Sequence, residues 1–389
     1  LDRWQSTNTA YGIQKMSTSV PQAVWNSVNP NRSGPSGWTL QGADYQIPPS
    51  IAGQGIFSPQ PTNSFKDWNK VYAYYCSSDE WTGQKTNHNF SGAPLPYTAN
   101  FRGATIFDAM ISALRSGTLT YTLGDRQTTL PDLDNASMVL LAGSSAGGNG
   151  VKHNLDKLRA DLHAVNAGME VRGVVDAVGS PSTAGLPWPP TGPIVSYEQH
   201  FTSQWNNVYQ GIWNARVDAS CLSENPLLVQ YRCSDSAHVL RHHITAPFFH
   251  RMDLQDENSI DTYTHGFYPS PPYPSDLAES RYAQDIAVQL ADIGNFAAVL
   301  APRYINELNT ISGDLQWLHP GVFGPRCTNH MALPFQNPFF VQAVPDAGGV
   351  LQSYHDTLWQ WVTQPPAGIG GPLGPVLITT QGTIGAPQC

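Results

Sequence analysis

The feature that most constrains the fold is a strand, a tight turn and a helix that follow one another between residues 137 and 162. Residues 137–142 read Ser-Met-Val-Leu-Leu-Ala, a short apolar run that predicts a buried strand. The run leads directly into Gly143-Ser144-Ser145-Ala146-Gly147-Gly148. Beyond this turn, four apolar residues recur at helical spacing: Val151, Leu155, Leu158 and Leu162. The chain therefore has to pass from a buried strand into an amphipathic helix through a very sharp turn.

The turn contains Gly143-x-Ser145-x-Gly147, the pattern of a nucleophile elbow. In such an elbow the serine has a strained backbone conformation, and small neighbours let the strand and the helix approach closely. The serine hydroxyl then projects above the sheet edge, while the N–H of Ala146 lies at the positive end of the following helix. The pattern predicts Ser145 as a nucleophile and Ala146 as a hydrogen-bond donor to an oxyanion.

Apolar segments on both sides of the turn predict the rest of the fold. Strands are predicted at 71–75, 171–178 and 244–252, and a helix at 104–114. Strands that alternate with helices indicate a mostly parallel sheet covered on both faces. We therefore predict an α/β-hydrolase-like fold and a single catalytic domain over residues 1–389. This domain begins with an irregular segment, 1–65, and ends with a Pro/Gly-rich segment, 364–389.

Residues 181–214 form an insertion in which aromatic residues stand among Pro, Gly, Gln and Asn. One interpretation is a lid or a wall for substrate, because binding groups tend to lie on loops. The other is a peripheral helix that packs its own aromatics, since four of them recur at intervals of four: Tyr197, Phe201, Trp205 and Tyr209. Three tryptophans, one of them outside this segment, are predicted to contact substrate: Trp81, Trp188 and Trp205.

Composition excludes several classes of partner. Only 13% of the residues are charged, the net charge is −9, and Lys and Arg are not clustered, which argues against nucleic acid as a partner. No apolar run approaches the roughly 18 residues of a membrane-spanning helix, so membrane insertion is not expected. Five dispersed cysteines, 34 glycines and 32 prolines are typical of a rigid, loop-rich protein. We expect a mature, secreted, monomeric protein in an extracellular or periplasmic space.

The cysteines and histidines lack the spacing of a metal motif. The five cysteines are Cys76, Cys221, Cys233, Cys327 and Cys389. No two of them form a CxxC pair, which argues against a zinc ribbon. Two disulfides and one free thiol are expected, and Cys221 and Cys233 most simply form one of these disulfides. Four clustered histidines have no carboxylate or cysteine at a suitable spacing, namely His238, His242, His243 and His250. We therefore expect no metal and no organic cofactor.

A serine nucleophile on this fold needs an acid and then a base later in the chain. The predicted strand 244–252 puts Asp253 and Asp256 in a loop at the carboxyl edge of the sheet, where sites form in open α/β folds. Either residue is therefore favoured over Asp176. Four histidines follow late enough to be the base: His265, His319, His330 and His355. His330 lies in a loop that a disulfide at Cys327 would hold rigid, but spacing alone does not separate it from His319.

Five segments, in order along the chain, carry a known pattern. The most specific are Tyr75-Cys76-Ser77-Ser78-Asp79-x-Trp81-x-Gly83 and the turn at 143–151. The others are Val171-Arg172-Gly173 with Asp176, Thr245-Ala246-Pro247-Phe248 leading to Asp256-Glu257, and Gly324-Pro325-x-Cys327-x-x-His330. Together they resemble the pectin acetylesterase/Notum family of serine carboxylesterases over roughly residues 50–335. The resemblance implies Ser145, Asp256 and His330 as the catalytic triad.

The resemblance also implies a second oxyanion donor. Family members have an apolar strand that ends in a Gly-Gly-(Gly/Trp) turn ahead of the Tyr-Cys segment, and this turn supplies the donor. The nearest sequence here is Ser36-Gly37-Trp38, which no strand-like run precedes. Gly37 and Trp38 are therefore the predicted second donors. Loss of one such donor costs on the order of 100- to 1000-fold in rate, so its presence matters for activity.

These patterns predict a secreted serine esterase that uses a Ser-His-Asp triad and an acyl-enzyme. By resemblance, the expected substrate carries O-acyl groups on a larger molecule, with an acylated polysaccharide first and a lipid-modified protein second. The aromatic residues equally suit a polyester. A hypothesis of another class is a non-catalytic binding protein on the same fold, which the missing Gly-Gly-Trp turn favours.

Overall fold

A parallel sheet of five strands forms the centre of the part of the chain that the structure describes. The computed structural model describes residues 53–75, 77–90, 97–123, 126–179, 197–254, 256, 305–311, 320–327, 329–364 and 376–378. The first elements after the 3₁₀ turn Gly55–Phe57 are β1 (Lys85–Phe90), β2 (Tyr97–Phe101), α1 (Gly103–Leu114), β3 (Thr120–Leu123) and β4 (Arg126–Thr129). The next are β5 (Met138–Ser144), α2 (Ala146–His163), β6 (Glu170–Asp176), α3 (Tyr197–Gln204), the π-helix Trp205–Trp213, α4 (Ala219–Glu224), α5 (Ser236–His242) and β7 (Phe248–Arg251). The last are helical residues 305–311, β8 (Gly321–Gly324), α6 (Gln336–Val341), β9 (Ala343–Pro345), β10 (Leu351–Ser353), α7 (Tyr354–Thr363) and β11 (Val376–Ile378).

The strand order in the central sheet is β11-β8-β7-β6-β5, and every neighbouring pair is parallel. The remaining described strands form three antiparallel pairs, β1 with β2, β3 with β4, and β9 with β10. Parallel strands carry their carboxyl ends to one edge, which in open α/β sheets is where sites form. This order puts the loops that follow β5, β6, β7 and β8 side by side.

Hydrophobic clusters cover both faces of the sheet. Side chains alternate across a strand, so Val171 and Val175 of β6 join one cluster and Val174 joins the other. The first cluster includes residues of α1 and α2, such as Leu155, and the second includes residues of α6 and α7, such as Leu358. Helices against both faces of a mostly parallel sheet confirm the predicted α/β-hydrolase-like architecture.

The predicted strand at 71–75 is the clearest difference in secondary structure. These residues are in neither a strand nor a helix, and Val71 and Tyr72 remain 47% and 37% exposed. The aromatic run instead contacts the following loop, because Tyr75 packs against Trp81 at 5.7 Å and its hydroxyl accepts a hydrogen bond from the Glu80 N–H. An apolar run in the sequence indicates burial, but it does not provide the neighbouring strand that a sheet requires.

The described part of the aromatic insertion is a helical segment, α3 followed by the π-helix. Phe201, Trp205, Tyr209 and Trp213 are all buried and belong to the first hydrophobic cluster. Trp205 stacks on Tyr209 with ring centroids 5.9 Å apart. This arrangement agrees with a helix that packs its own aromatics. Residues 181–196 of the insertion, and the segments 1–52 and 379–389, lie outside the described residues.

Candidate active site

The turn after β5 gives Ser145 an unusual backbone conformation. Ser145 immediately precedes α2 and has φ 58° and ψ −123°. A positive φ is unfavourable for a residue that carries a Cβ. A hydrogen bond to the last residue of β6 holds the turn in place: the Ser145 N–H donates to the Asp176 carbonyl at 2.9 Å. The sharp elbow predicted from the sequence is therefore present at this position.

Close packing demands glycine at two positions of the elbow, only one of which belongs to the Gly-x-Ser-x-Gly pattern. A Cβ on Gly143 would overlap the carbonyl group of Gly147. A Cβ on Gly148 would lie 2.8 Å from the carbonyl oxygen of Asp176 and would also meet Val178. A Cβ on Gly147 would have no neighbour within 4 Å. The close approach of β5, α2 and β6 thus explains Gly143 and Gly148, but it does not explain Gly147.

The imidazole of His330 lies between Ser145 and Asp256. Its Nε2 atom is 2.7 Å from Ser145 Oγ, and its Nδ1 atom is 2.8 Å from Asp256 Oδ2. Asp256 is fully buried, whereas the His330 side chain is 17% exposed. The three residues follow β5, β8 and β7, so the parallel sheet brings together residues that are far apart in sequence.

This arrangement has the parts that nucleophilic catalysis requires. A hydroxyl in contact with an imidazole, itself oriented by a carboxylate, can lose its proton as it attacks a carbonyl. Ala146 is the first residue of α2. The N–H groups of a first helical turn have no acceptor within the helix, and the helix dipole favours negative charge there. An oxyanion near the Ser145 side chain would meet these donors.

A buried polar network supports the site from below, and the sequence analysis did not identify it. Arg251 is fully buried at the end of β7, where its guanidinium pairs with Asp176 at 3.0 Å and with Asp253. Gln342 donates to Asp253 at 2.9 Å. Burial raises the pKa of the Asp253 carboxyl to about 7, against the opposing effect of the Arg251 guanidinium. The only signal in the sequence was a charged residue inside the apolar run Phe248–Met252.

The other acid and base candidates have different surroundings. Asp253 contacts Arg251 and Gln342, and Asp176 contacts Arg251 and main-chain N–H groups. His355 is buried against Phe65 of the second hydrophobic cluster, and its Nε2 accepts a hydrogen bond from the Ser64 N–H at 3.0 Å. His265 and His319 lie outside the described residues.

Two of the three tryptophans predicted to contact substrate are buried in the described structure. Trp81 and Trp205 are only 7% and 5% exposed and belong to the first hydrophobic cluster. Both indole rings are buried by contacts with helical residues: Trp81 packs against Gly150, and Trp205 packs against Tyr209. Trp188, and the predicted second oxyanion donors Gly37 and Trp38, lie outside the described residues.

A cavity of about 630 Å³ adjoins His330. Its lining is rich in amide side chains and comprises Gln54, Asn329, His330, Met331, Phe335, Gln336, Asn337 and Pro338. Amides can both donate and accept hydrogen bonds. The cavity therefore offers polar recognition next to the imidazole, with one aromatic ring, Phe335, in its wall.

One group of possible metal ligands occurs among the described residues. Ligand atoms of Cys221, His238 and His243 lie within 4.8 Å of one another. Cys221, however, forms a disulfide with Cys233, as predicted, which removes its thiolate as a ligand. Burial, with further contributions from His243 and His242, lowers the pKa of His238 to about 4. Two imidazoles remain, fewer than the three protein ligands of a typical zinc site.

Comparison with known proteins gives a consistent assignment. A model of the pectinacetylesterase family matches residues 36–367, which is most of the chain and includes Ser145, Asp256 and His330. Palmitoleoyl-protein carboxylesterase notum1' of Xenopus laevis is 37% identical over 133 residues, 33% of this chain and 23% of that protein. The NOTUM protein of Schmidtea mediterranea is 25% identical over 313 residues, 77% of this chain and 46% of that protein. The matched regions thus span less than half the length of these curated relatives.

Two crystal forms of the Wnt deacylase Notum from Drosophila have a similar fold. Their TM-scores are 0.54 and 0.56, at 22% and 20% sequence identity. They cover 79% and 83% of this chain, and 72% and 75% of the Notum chains. Among the helices that the structure describes, none has the length and apolar character needed to cross a bilayer.

Proposed function

Because this chain belongs to the pectinacetylesterase family, we propose that it is a secreted serine carboxylesterase that removes O-acyl groups from a polysaccharide through an acyl-enzyme. The observation that carries the proposal is the contact of His330 with both Ser145 and Asp256, at 2.7 and 2.8 Å. Nucleophile, base and acid within hydrogen-bond reach are the recurring signature of acyl-transfer enzymes.

Each residue has a definite task in this reaction. His330 Nε2 accepts the proton of Ser145 Oγ as the oxygen attacks the ester carbonyl carbon. Asp256 holds the Nδ1–H tautomer and stabilises the imidazolium that forms. The Ala146 N–H donates to the tetrahedral oxyanion. His330 then donates this proton to the leaving sugar oxygen as the carbonyl re-forms. In the second half, the imidazole takes a proton from water as the water attacks the acyl carbonyl, and it returns the proton to Ser145 Oγ as the acid leaves.

The amide-rich cavity beside His330 supports a polar acyl-bearing polymer as the substrate. Sugar hydroxyls exchange hydrogen bonds readily with amide groups, and a ring such as Phe335 can contact a sugar face. A long alkyl chain would gain little from Gln54, Asn329, Gln336 and Asn337, because these groups lose water on contact without a polar partner. Met331, Phe335 and Pro338 share the lining with the four amides, so an acetylated sugar can place both its hydroxyls and its acetyl group there.

A second candidate substrate is a lipid-modified protein. It is favoured by the relatives named palmitoleoyl-protein carboxylesterase, one of which is 37% identical to this chain over 133 residues. On this alternative the acyl group has to be long and apolar, so the preference for acyl length separates the two substrates.

Hydrolysis of p-nitrophenyl acetate, butyrate and octanoate tests the reaction and the acyl size together. We expect turnover to be highest with acetate, and to disappear in Ser145→Ala because the nucleophile is lost. Ser144→Ala is the matched control, since it removes the neighbouring hydroxyl and leaves Ser145 in place. Turnover should fall, because the Ser144 hydroxyl donates to Asp176, but it should not disappear. Release of acetate from acetylated pectin, measured with the same three proteins, tests the polymer.

Three results would contradict the proposal. Equal slow rates for the wild type and Ser145→Ala would show that Ser145 is not the nucleophile and would favour a binding protein on this fold. A strong preference for octanoate would favour the lipid-modified substrate. Cleavage of acetyl esters without any release of acetate from polysaccharide would leave an esterase that acts on a different acylated molecule.

A further inference from the structure

Arg251 connects three segments that carry the candidate triad. It is fully buried as the fourth and last residue of β7, five residues before Asp256 in sequence. Its Nη1 group donates to the His330 carbonyl at 3.2 Å, and its Nη2 group donates to the Asn329 carbonyl at 3.3 Å. The guanidinium therefore holds the backbone on which the His330 imidazole is mounted.

The same guanidinium reaches the nucleophile through Asp176. Asp176 Oδ1 accepts from Arg251 at 3.0 Å, while Asp176 Oδ2 accepts from the Ser144 hydroxyl. The Asp176 carbonyl accepts from the Ser145 N–H, as described above. The elbow and the end of β7 are thus joined through one buried carboxylate.

Asp176 also contacts the chain just beyond the histidine. Its Oδ2 accepts from the N–H groups of Ala332 and Leu333, each at 3.1 Å. Gln342 completes the group, because it accepts from Arg251 at 2.9 Å and donates to Asn329 Oδ1 at 3.1 Å. Hydrogen bonds from this network therefore reach the backbone on both sides of His330.

Burying the charged groups of this network costs free energy of desolvation. A buried ion pair often contributes no more to stability than well-packed apolar residues would. Such a network does, however, favour one geometry, because displacement leaves a buried charge without its partners. The two Nη groups of Arg251 make these contacts, whereas its buried Nε has no hydrogen-bond partner in the described structure. In this protein the network fixes the distance between the loop that carries His330 and the turn that carries Ser145.

We infer that Arg251 is a positioning residue for catalysis, which sets the His330 imidazole between Ser145 and Asp256 through the Asn329 and His330 carbonyls and through Asp176. The inference rests on the proposed function, since it assigns a role within the same triad. Arg251 itself touches neither Ser145 Oγ nor the imidazole in the contacts above, so it acts through the backbone.

Arg172 provides a matched control on the neighbouring strand. It is also a buried arginine, and it pairs with Glu170 and donates to the carbonyls of Trp361 and Gln364. Glu170 begins β6, and the two carbonyls lie at or just after the end of α7, so none of these partners belongs to the triad. Arg172→Lys therefore imposes a similar loss of buried hydrogen bonds without disturbing the histidine loop.

The experiment compares Arg251→Lys and Arg172→Lys for thermal unfolding, kcat and KM on p-nitrophenyl acetate. Lysine keeps the charge but cannot hold two carbonyls and two carboxylates at once. We expect both variants to unfold at lower temperatures, but only Arg251→Lys to lose about 100-fold in kcat with KM little changed, since small displacements of reacting groups cost rate of this order. Gln342→Met, which keeps Arg251 and removes its lateral partner, should lose about tenfold in kcat while remaining folded.

A spectroscopic readout keeps the inference separate from the proposed function. The low-field proton of the His330 Nδ1–H bonded to Asp256 is expected in wild type and Arg172→Lys, and is expected to be broadened or absent in Arg251→Lys. If the wild type hydrolyses no ester, the proposed function fails, and this resonance alone decides the positioning role. Equal kcat per folded molecule in the two arginine variants, or an unchanged resonance in Arg251→Lys, overturns the inference.

Discussion

The indole ring of Trp81 lies directly against Gly150, in the helix that follows Ser145. A Cβ on Gly150 would be only 2.6 Å from Trp81 Cδ1. Asn154 binds the two together, since its Nδ2 group donates to the carbonyls of Trp81 and Gly150 at 3.2 and 2.9 Å. Trp81 therefore supports the helix behind the elbow, which is a different role from the substrate contact predicted for it.

This contact predicts that Gly150→Ala destabilises the fold by about 1–3 kcal/mol, the usual cost of overpacking a buried site. Gly147→Ala is the control, because a Cβ there would meet nothing within 4 Å and alanine favours a helix by up to about 1 kcal/mol. Urea unfolding of both variants gives the two free energies of unfolding. Equal stability of Gly150→Ala and wild type would mean that Trp81 moves aside without cost.

Asp256→Asn is expected to lower kcat by about 10⁴-fold while the protein remains folded. Asparagine keeps the size of the side chain but cannot stabilise an imidazolium, and it favours the wrong tautomer of His330. Asp253→Asn, three residues earlier, should cost at least about tenfold less in kcat, because Asp253 contacts Arg251 and Gln342 instead of His330. Steady-state kinetics at constant pH compares the two. A larger loss in Asp253→Asn would reverse the assignment of the acid.

His250 predicts a loss of stability in mild acid. The residue is fully buried on β7, its Nδ1 is 3.1 Å from the Val175 carbonyl, and burial lowers its pKa to about 4 from 6.5. Above pH 6.5 the folded and unfolded states both hold a neutral imidazole, so the full stability is present. As the pH falls from 6.5 to 4, only the unfolded state takes up a proton, and stability declines.

Each unit of difference between the two pKa values corresponds to about 1.4 kcal/mol, so the loss due to His250 approaches about 3 kcal/mol at pH 4. His250→Val removes this titration. Urea unfolding at several pH values should therefore give a shallower acid decline in the variant than in the wild type. The comparison uses the pH dependence and not the absolute stability, since the substitution also alters packing. Parallel curves for the two proteins would show that His250 does not resist protonation.

The local elements were predicted well because their signals lie in neighbouring residues. The helix predicted at 104–114 is α1, and the strand and helix around the elbow are β5 and α2. Strand 244–252 was predicted too long, since only Phe248–Arg251 pairs in the sheet. Residues 71–75 show the limit of this approach: their apolar character predicted a buried strand, but Val71 and Tyr72 are exposed, and a strand also needs a partner at hydrogen-bonding distance.

The sequence predicted which types of residue the site needs, a serine, an acid and a histidine, more readily than which individual residues fill the last two roles. Spacing alone left Asp253 and Asp256, and His319 and His330, as equal candidates, and the family resemblance favoured one of each. The roles of Arg251, Asp176 and Gln342 had no sequence signal beyond polar residues in or near apolar segments. Their importance comes from contacts across the sheet, such as the link from Arg251 to Gln342 over 91 positions of sequence.

The sequence by itself determined the elbow and the strand and helix that flank it, because apolar periodicity and the steric demands of a tight turn act between residues that are adjacent in the chain. Only the tertiary structure decided which side chains meet. His330 is 185 positions from Ser145 and 74 from Asp256, and they come into contact because β5, β7 and β8 are parallel strands of one sheet. The same packing turned Trp81 and Trp205 inward, since burying a large aromatic ring against a helix is more favourable than leaving it in water.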